Sequence, residues 1–512
     1  MSSHKIIPFE TASTLFTRLR QKGHKIVQCH GTFDLVHPGH IYHLEEAREL
    51  GDLLVITITG ENHVNKGPGR PYFNDTLRAR SLAALESVDY VVVIPFPAAV
   101  EAIECVKPHI YCKGTEYESA DTDVTGNIHD DITTVQKCGG EVHYIGSVVF
   151  SSSKLINEHF DHIPTEVKKY CHALASECSP DAFRAIIENF SQLRVLVIGD
   201  IIIDRYSYVK VQGLTSKNRI LSGRFINQEI QAGGALAIQR HIAQFTKQVD
   251  LIGLLGQEPW VDKFLYSYLP QEHDLCLRDK NFTTIVKQRF VEPMCEGKEL
   301  SKLFSVNYID PNPPEEDLVE RILERLEDLI PKYDLIVVAD FGHGIMSDRV
   351  RRLVESKANF MALNCQTNSN NHGFNIISHQ YRRADCFSLD QQELLLSCAQ
   401  QHVDFGKELE KLKKKLGATY AWLTRGSIET IGLKSHEPPS IITPFENRVV
   451  DTVGAGDAFY AVTALAACQK LSSQLTTFIG QLAGAQAVRI VGNSTPISKA
   501  GLLKAGMALL NF

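Results

Sequence analysis

Two short stretches of this sequence place residue types at spacings that do chemistry on phosphates. The first is Gly31-Thr32-Phe33-Asp34-Leu35-Val36-His37-Pro38-Gly39-His40. Two histidines three residues apart at a helix start share one side of the turn, where free backbone N–H groups add the positive end of the helix dipole. Together they make a cradle for an anion. Pro38 suits a first helical position, and Gly39 lets a phosphate approach the backbone. The second stretch is Asp451-Thr452-Val453-Gly454-Ala455-Gly456-Asp457-Ala458-Phe459, ahead of a long apolar run. Gly454, Ala455 and Gly456 permit a tight turn whose N–H groups hold a transferring phosphate, and Asp457 beside them takes a hydroxyl proton as general base. An arbitrary histidine pair, or an isolated Gly-x-Gly, is most simply structural. Here the surroundings reverse that preference.

Each cradle needs a strand to aim it and a helix to follow it, because ligands of open α/β sheets sit beyond the carboxyl ends of the strands. From Lys25 onward, apolar runs (KIVQCHG, DLLVITITG, DYVVVI, HIYCKG, EVHYIG) alternate with helical patterns at His40 to Leu50 and Leu77 to Glu86. That alternation predicts a Rossmann-like parallel α/β domain over residues 1–165. Residues 166–192 read as a helical connector without the Gly, Ser or Pro content of a free linker. A second α/β domain over 193–512 begins with the strand RVLVIGDIIID, continues through YDLIVVAD and ATYAWLT, and ends in long helices after Gly454.

The bulk properties agree. A chain of 512 residues exceeds one ordinary core, so two domains are expected. With 44% hydrophobic and 22% charged residues it is globular throughout. A net charge of -7 argues against a general nucleic-acid binder. No stretch reaches the roughly 20 apolar residues that span a bilayer, and the start carries no apolar leader. The 12 cysteines show no CxxC or zinc-site spacing and read as thiols of a reducing compartment. A cytoplasmic protein without nucleic-acid or membrane partners is expected.

The first motif sits in a specific context. Downstream lie Lys66-Gly67-Pro68-Gly69-Arg70-Pro71, Arg78 with LAALESVDYVV, Cys112-Lys113-Gly114-Thr115-Glu116-Tyr117, and Ser151-Ser152-Ser153. Over about residues 24–160 the chain resembles the cytidylyltransferase-like superfamily, nearest to the adenylyltransferase half of the bifunctional heptose-phosphate kinase/adenylyltransferases. The resemblance implies that a phosphate oxygen of the acceptor attacks the α-phosphorus of a nucleoside triphosphate, releasing pyrophosphate. It implies that Gly31, Thr32 and Phe33 line the nucleotide, and that His37 and His40 hold the triphosphate. Lys66 and Arg78 would add positive charge, with Ser152 and Ser153 donating at a helix start. Asp34 and Lys113 are open between ligand contact and a cap or solvated charge.

The second motif also has company: Gly199-Asp200 with Asp204, then Gly233-Gly234, Asp340-Phe341-Gly342-His343-Gly344, and Thr424-Arg425-Gly426. Over about residues 193–512 the chain resembles ribokinase-type carbohydrate kinases. Implied roles are substrate contacts at Asp200, Asp204, Gly233 and Gly234, phosphate contacts at Thr424, Gly426 and the Gly454 turn, and Mg²⁺ at Glu393. The departures fall at the binding positions. Ala237 stands where the family places a sugar-binding Asn, Asp390-Gln391-Gln392-Glu393 replaces Asn-x-x-Glu, and Asn364-Cys365-Gln366 replaces Asp-Pro-Lys. The domain order is also the reverse of the heptose enzymes'.

The expected function is therefore nucleotide-sugar synthesis, with ADP-heptose formation for lipopolysaccharide as the nearest case. The N-terminal domain transfers a nucleotidyl group from a nucleoside triphosphate, ATP by the resemblance, to a sugar 1-phosphate such as heptose 1-phosphate. The C-terminal domain is an ATP-dependent kinase of a sugar or sugar phosphate, with Mg²⁺ at both sites; family likeness suggests a homodimer. The alternative is a CTP-using enzyme of a polyol or sugar phosphate, with a catalytically weak or sugar-binding kinase-like domain.

Overall fold

Continuous aliphatic runs form the central strands, as expected where both sheet faces are covered. The computed structural model describes residues 2–64, 69–115, 127–146, 164–293, 300–310, 312–368, 371, 373–446 and 449–511. The chain divides into two compact units, Met1–Arg184 with Leu503–Phe512, and Ala185–Leu502. Helices Thr165–Glu177 and Pro180–Asn189 occupy the stretch read as a connector.

In the first unit, β1 (Ile26–Gly31), β2 (Leu53–Thr59), β3 (Tyr90–Ile94), β4 (Ile110–Gly114) and β5 (Glu141–Ile145) form one parallel sheet in the order β3-β2-β1-β4-β5. The chain reverses its direction of travel across the sheet between β1 and β4, so a cleft opens beyond their carboxyl ends. Helices α1 (Phe9–Gln21), α2 (Pro38–Glu49) and α3 (Asp75–Ala83) accompany the sheet. One core, with Val27, Cys29, Leu44, Ile56 and Leu82, packs α2 and α3 on one side; another, with Phe16, Ile26, Val55 and Val92, packs α1.

Among its described residues the second unit has a large sheet, a small sheet and a separate two-stranded pair. Its strands are β6 (Val195–Gly199), β7 (Ile201–Leu214), β8 (Leu221–Gly233), β9 (Val249–Ile252), β10 (Leu254–Leu255), β11 (Leu277–Arg278), β12 (Ile285–Glu292), β13 (Ser301–Tyr308), β14 (Leu335–Asp340), β15 (Met361–Cys365), β16 (Cys386–Asp390), β17 (Tyr420–Thr424), β18 (Thr430–Lys434) and β19 (Ser440–Ile442). The large sheet runs β19-β18-β17-β16-β15-β14-β6-β9, parallel from β17 to β9. The small sheet runs β13-β12-β7-β8, and β10 pairs with β11. The run RVLVIGDIIID, read as one strand, is two: β6 belongs to the large sheet and β7 to the small one. The break has a physical cause. A Cβ on Gly199 would collide with the Ala339 carbonyl, and the Asp200 carboxylate turns aside to accept N–H bonds from Phe341 (2.9 Å) and His343 (3.1 Å).

Candidate functional site

At the end of β1 the backbone turns through Phe33, whose φ of 46° is unusual for a non-glycine residue. The turn delivers His37 to the N-cap of α2, with extended backbone (φ -133°, ψ 169°) and Pro38 as the first helical residue. The His40 backbone N–H donates to His37 Nδ1 at 3.3 Å. A ring that accepts at Nδ1 carries its proton at Nε2, so the cap sets the tautomer. The two imidazoles stack with centroids 3.9 Å apart, and the Phe33 ring lies 5.1 Å from His40. The paired histidines, the open first turn of α2 and the sheet's switch point thus coincide, as the sequence motif implied.

Arg78 supports this turn from beneath. Its side chain is 0% exposed, and its guanidinium donates to the Thr32 carbonyl (2.6 Å), the Thr59 carbonyl (2.8 Å) and the Asp75 carboxylate (2.5 Å). It clamps the ends of β1 and β2 together, whereas the resemblance had implied a direct phosphate contact. Asp34 is likewise inside the fold, paired with Arg70 at 3.2 Å and accepting the Phe73 N–H at 3.0 Å. Lys113, at the end of β4, pairs with Asp131 at 2.9 Å. Sequence reasoning missed His30, which precedes Gly31. Its ring lies against the hydroxyls of Thr57 (3.0 Å) and Thr59 (3.3 Å), and burial, with Lys113 nearby, lowers its pKa to about 3. It is therefore neutral behind the cradle. Lys66, Ser152 and Ser153 lie outside the described residues.

The second site is a cavity of about 290 Å³ at the carboxyl edge of the large sheet, walled on one side by the small sheet. Gly454 (φ 83°) caps the helix Ala455–Cys468, and Gly454, Gly456 and Asp457 line the cavity. A Cβ on Gly454 would collide with the Asn493 side chain, whereas one on Gly456 would meet nothing within 4 Å. The first glycine is needed for shape, and the second leaves the backbone open to a ligand. Asp457 accepts a hydrogen bond from Gln366 Nε2 at 3.1 Å. Burial, then the nearby Asp204 charge, raise its pKa to about 7, against the pull of Gln366, Lys287 and Arg289. A base poised there exchanges a proton near neutrality.

Of the other residues the resemblance implied, Asp204, Gly234, Thr424 and Glu393 line the cavity. Asp200, Gly233 and Gly426 are not among its lining residues. Asp200 holds the 341–343 backbone as described, Gly233 caps the helix Gly234–Ile242, and Gly426 provides a positive φ of 55°. Asp390 and Glu393 form a reciprocal capping box on the helix Gln391–Cys398. Glu393 accepts from the backbone of Asp390 (2.8 Å) and Thr367 (3.2 Å), and burial with the charges of Asp390 and Asp457 raises its pKa to about 8. Ala237 is buried in its helix. Lys287 and Arg289, on β12, also line the cavity and were not read from the sequence. Their two-residue spacing on a strand, which puts both on one face, was the available signal. Asp340 of the DFGHG motif serves the fold, binding Arg351 (3.0 Å) and the Tyr381 hydroxyl (2.7 Å).

A cytidylyltransferase-like family model matches residues 29–220, and a pfkB family carbohydrate kinase model matches residues 192–500. Bifunctional protein HldE of Aliarcobacter butzleri is 40% identical over 142 residues, 27% of this chain and 30% of that protein. HldE of Methylococcus capsulatus is also 40% identical over 142 residues, 27% of this chain and 29% of that protein. The chain thus spans about three-tenths of the length of the curated relatives it matches. Phosphofructokinase-2 from Escherichia coli, solved in complex with potassium, shares the fold over 62% of this chain and 99% of its own, with a TM-score of 0.50 and 14% identity. Among the described residues, no helix is long and apolar enough to cross a membrane. The chain belongs to the pfkB family of carbohydrate kinases and carries, ahead of its kinase domain, a cytidylyltransferase-like nucleotide-binding domain.

Proposed function

We propose that this chain is a bifunctional enzyme of nucleotide-sugar synthesis. Its N-terminal domain, within residues 1–165, transfers a nucleotidyl group from ATP to a sugar 1-phosphate of the heptose class. Its C-terminal domain, 193–512, phosphorylates a sugar or sugar phosphate. The observation that carries this reading is the stacked His37–His40 pair at the start of α2, set at the β1/β4 switch point, together with the likeness to HldE. An acceptor phosphate oxygen attacks the α-phosphorus; a new P–O bond forms as the α–β bridge breaks, and pyrophosphate leaves. His37 Nε2–H and the first-turn N–H groups donate to the charge that develops on the phosphate oxygens. Gly31, Thr32 and Phe33 shape the nucleotide floor, Arg78 and His30 hold that floor in place, and Lys66, Ser152 and Ser153 are assigned phosphate contacts on the resemblance alone.

In the kinase cavity Asp457 takes the acceptor hydroxyl proton while the Gly454–Gly456 turn receives the transferring phosphoryl group. Burial and the charge of Asp390 raise the cost of ionising Glu393, a setting that a divalent cation relieves, and Mg²⁺ takes one or two carboxylates plus substrate phosphates. These two residues would hold Mg²⁺ with ATP, and the bound ion would neutralise phosphate charge. ATP consumption with sugar acceptors, lost in Asp457→Asn, is the test. No turnover in the unaltered protein sinks the kinase half.

Ala237 favours a second reading of that half. A buried methyl offers no hydrogen bond to a sugar hydroxyl, so the domain would bind a sugar without efficient transfer, beside a CTP-using first domain. Competition of CTP against ATP for the first site separates the two. We also assign a homodimer. The β7–β8 hairpin exposes Leu214, Ile220 and Phe225 at 60% or more, and the β8 edge is unpaired in the described sheet; a second copy covers both features. Sedimentation of Phe225→Asp as a monomer, against a dimer for the unaltered chain, is the expected result.

A further inference from the structure

The second unit holds another cavity, of about 310 Å³, that shares no lining residue with the one at Asp457. It lies against the later part of the helix Gly234–Ile242, the chain that leads into β9, and residues 268–273. Two cations line it. Arg240 stacks on the Tyr268 ring, 4.5 Å from the centroid, and burial lowers its pKa. Lys247 is exposed. Among the described residues neither meets a carboxylate at ion-pair distance, and the group that opposes the fall at Arg240 is Tyr268. Asp250, which follows the cavity residue Val249, is taken up by His273 Nδ1 (2.7 Å) and the Tyr333 hydroxyl (2.5 Å). The helix end does not answer the cations either. Its carbonyls at Gln239, His241 and Ile242 already accept the N–H groups of Ala243, Gln244 and Phe245. Gln239 adds a further demand. It is 2% exposed, its amide donates to the Val249 carbonyl at 3.4 Å, and its Oε1 has no hydrogen-bond partner among the described residues. A buried acceptor left in that state costs free energy until a donor reaches it.

Arg240 also ties this cavity to the other one. Its guanidinium donates to the carbonyls of Asn493 (2.8 Å) and Ser494 (3.4 Å). Asn493 lines the Asp457 cavity, and its side chain is the group that a Cβ on Gly454 would strike. We propose that the cavity at Arg240 and Lys247 binds the phosphate monoester of a small hydroxylated compound, and that its occupant steadies the Asn493 wall of the kinase cavity. The phosphate oxygens meet the guanidinium and the ammonium together, a double charge between two cations. A ligand hydroxyl donates to Gln239 Oε1. A ligand that fixes the guanidinium also fixes the two carbonyls that it holds. The binding site stands apart from whatever chemistry the Asp457 cavity performs.

Hydrogen exchange of the full chain, read by mass spectrometry with glycerol 3-phosphate, inorganic phosphate or glycerol, tests this. Slower exchange over residues 239–249 is expected with glycerol 3-phosphate, a weaker effect with inorganic phosphate, and none with glycerol. Residues 491–495 should slow at the same concentrations. Lys247→Glu changes an exposed side chain and should raise the half-effect concentration roughly tenfold or more, while Lys247→Arg should restore it. Gln239→Met should remove the preference for the ester over inorganic phosphate. No response to the ester at millimolar concentration, or an equal response in Lys247→Glu, overturns the site. Equal responses to the ester and inorganic phosphate in the unaltered protein overturn the hydroxyl contact. Slowing at 239–249 without slowing at 491–495 upholds the site and overturns its link to the kinase cavity. Binding here in a protein that turns over no ATP removes the kinase reading and leaves this site standing.

Discussion

Replacing Asp457 by Asn should stabilise the protein while it stops phosphoryl transfer, and the two effects should differ in their dependence on pH. A carboxyl group whose pKa is raised from 3.8 to about 7 by burial is protonated in the folded chain while ionised in the unfolded one between those values. Stability is therefore fully present below the unfolded pKa and falls as pH climbs through that window, levelling off above the folded pKa. Asparagine has no proton to lose. The variant's advantage should grow between pH 5 and pH 8 by about 2 kcal/mol, from 1.36 kcal/mol per pKa unit reduced for partial solvent access. Urea unfolding of both proteins at pH 5, 6, 7 and 8 measures it. Over the same range ATP turnover in the variant should be lower by roughly 10²- to 10⁴-fold. A stability gap that is flat with pH, or that favours the carboxylate at pH 8, refutes the burial argument.

Removing Gln366 as a donor (Gln366→Ala) takes away an interaction that holds Asp457 ionised; the acid limb of the kinase pH–rate profile should move to higher pH. Arg78→Met leaves the Thr32 and Thr59 carbonyls without their donor, at a cost of about 3 kcal/mol. Faster hydrogen exchange in β1 and lost nucleotide protection of the first unit are the expected readouts. Gly454→Ala forces a side chain into a φ of 83°, costing about 1–2 kcal/mol before the collision with Asn493. ATP binding at the second site should weaken in titration calorimetry while the first site binds normally.

The parallel strands were legible because burial on both faces leaves continuous aliphatic runs such as LLVITIT and LIVVAD. The small sheet was not, since KQRFVE and SKLFSVNY mix charges with apolar residues on a surface that is partly exposed. The glycine turn and the histidine cap were legible because their backbone demands restrict residue type. Arg78 and Asp200 show where that reasoning stops. A buried arginine on carbonyls and an aspartate on backbone N–H groups have the same residue types as ligand contacts, and only the fold distinguishes them. Lys287 belongs to no glycine or histidine motif; it faces the cavity through strand alternation, in a strand that the sequence did not reveal.

The most direct test of nucleotidyl transfer is pyrophosphate release by the full chain, with Mg²⁺, across ATP, CTP, GTP and UTP and a panel of sugar 1-phosphates including heptose 1-phosphate. Release with ATP and a sugar 1-phosphate, reduced roughly 10²-fold or more in His37→Ala while the protein stays folded, is the expected result. Release that is unchanged in His37→Ala, or no release from the folded protein with any pair, would contradict the assignment of the first site.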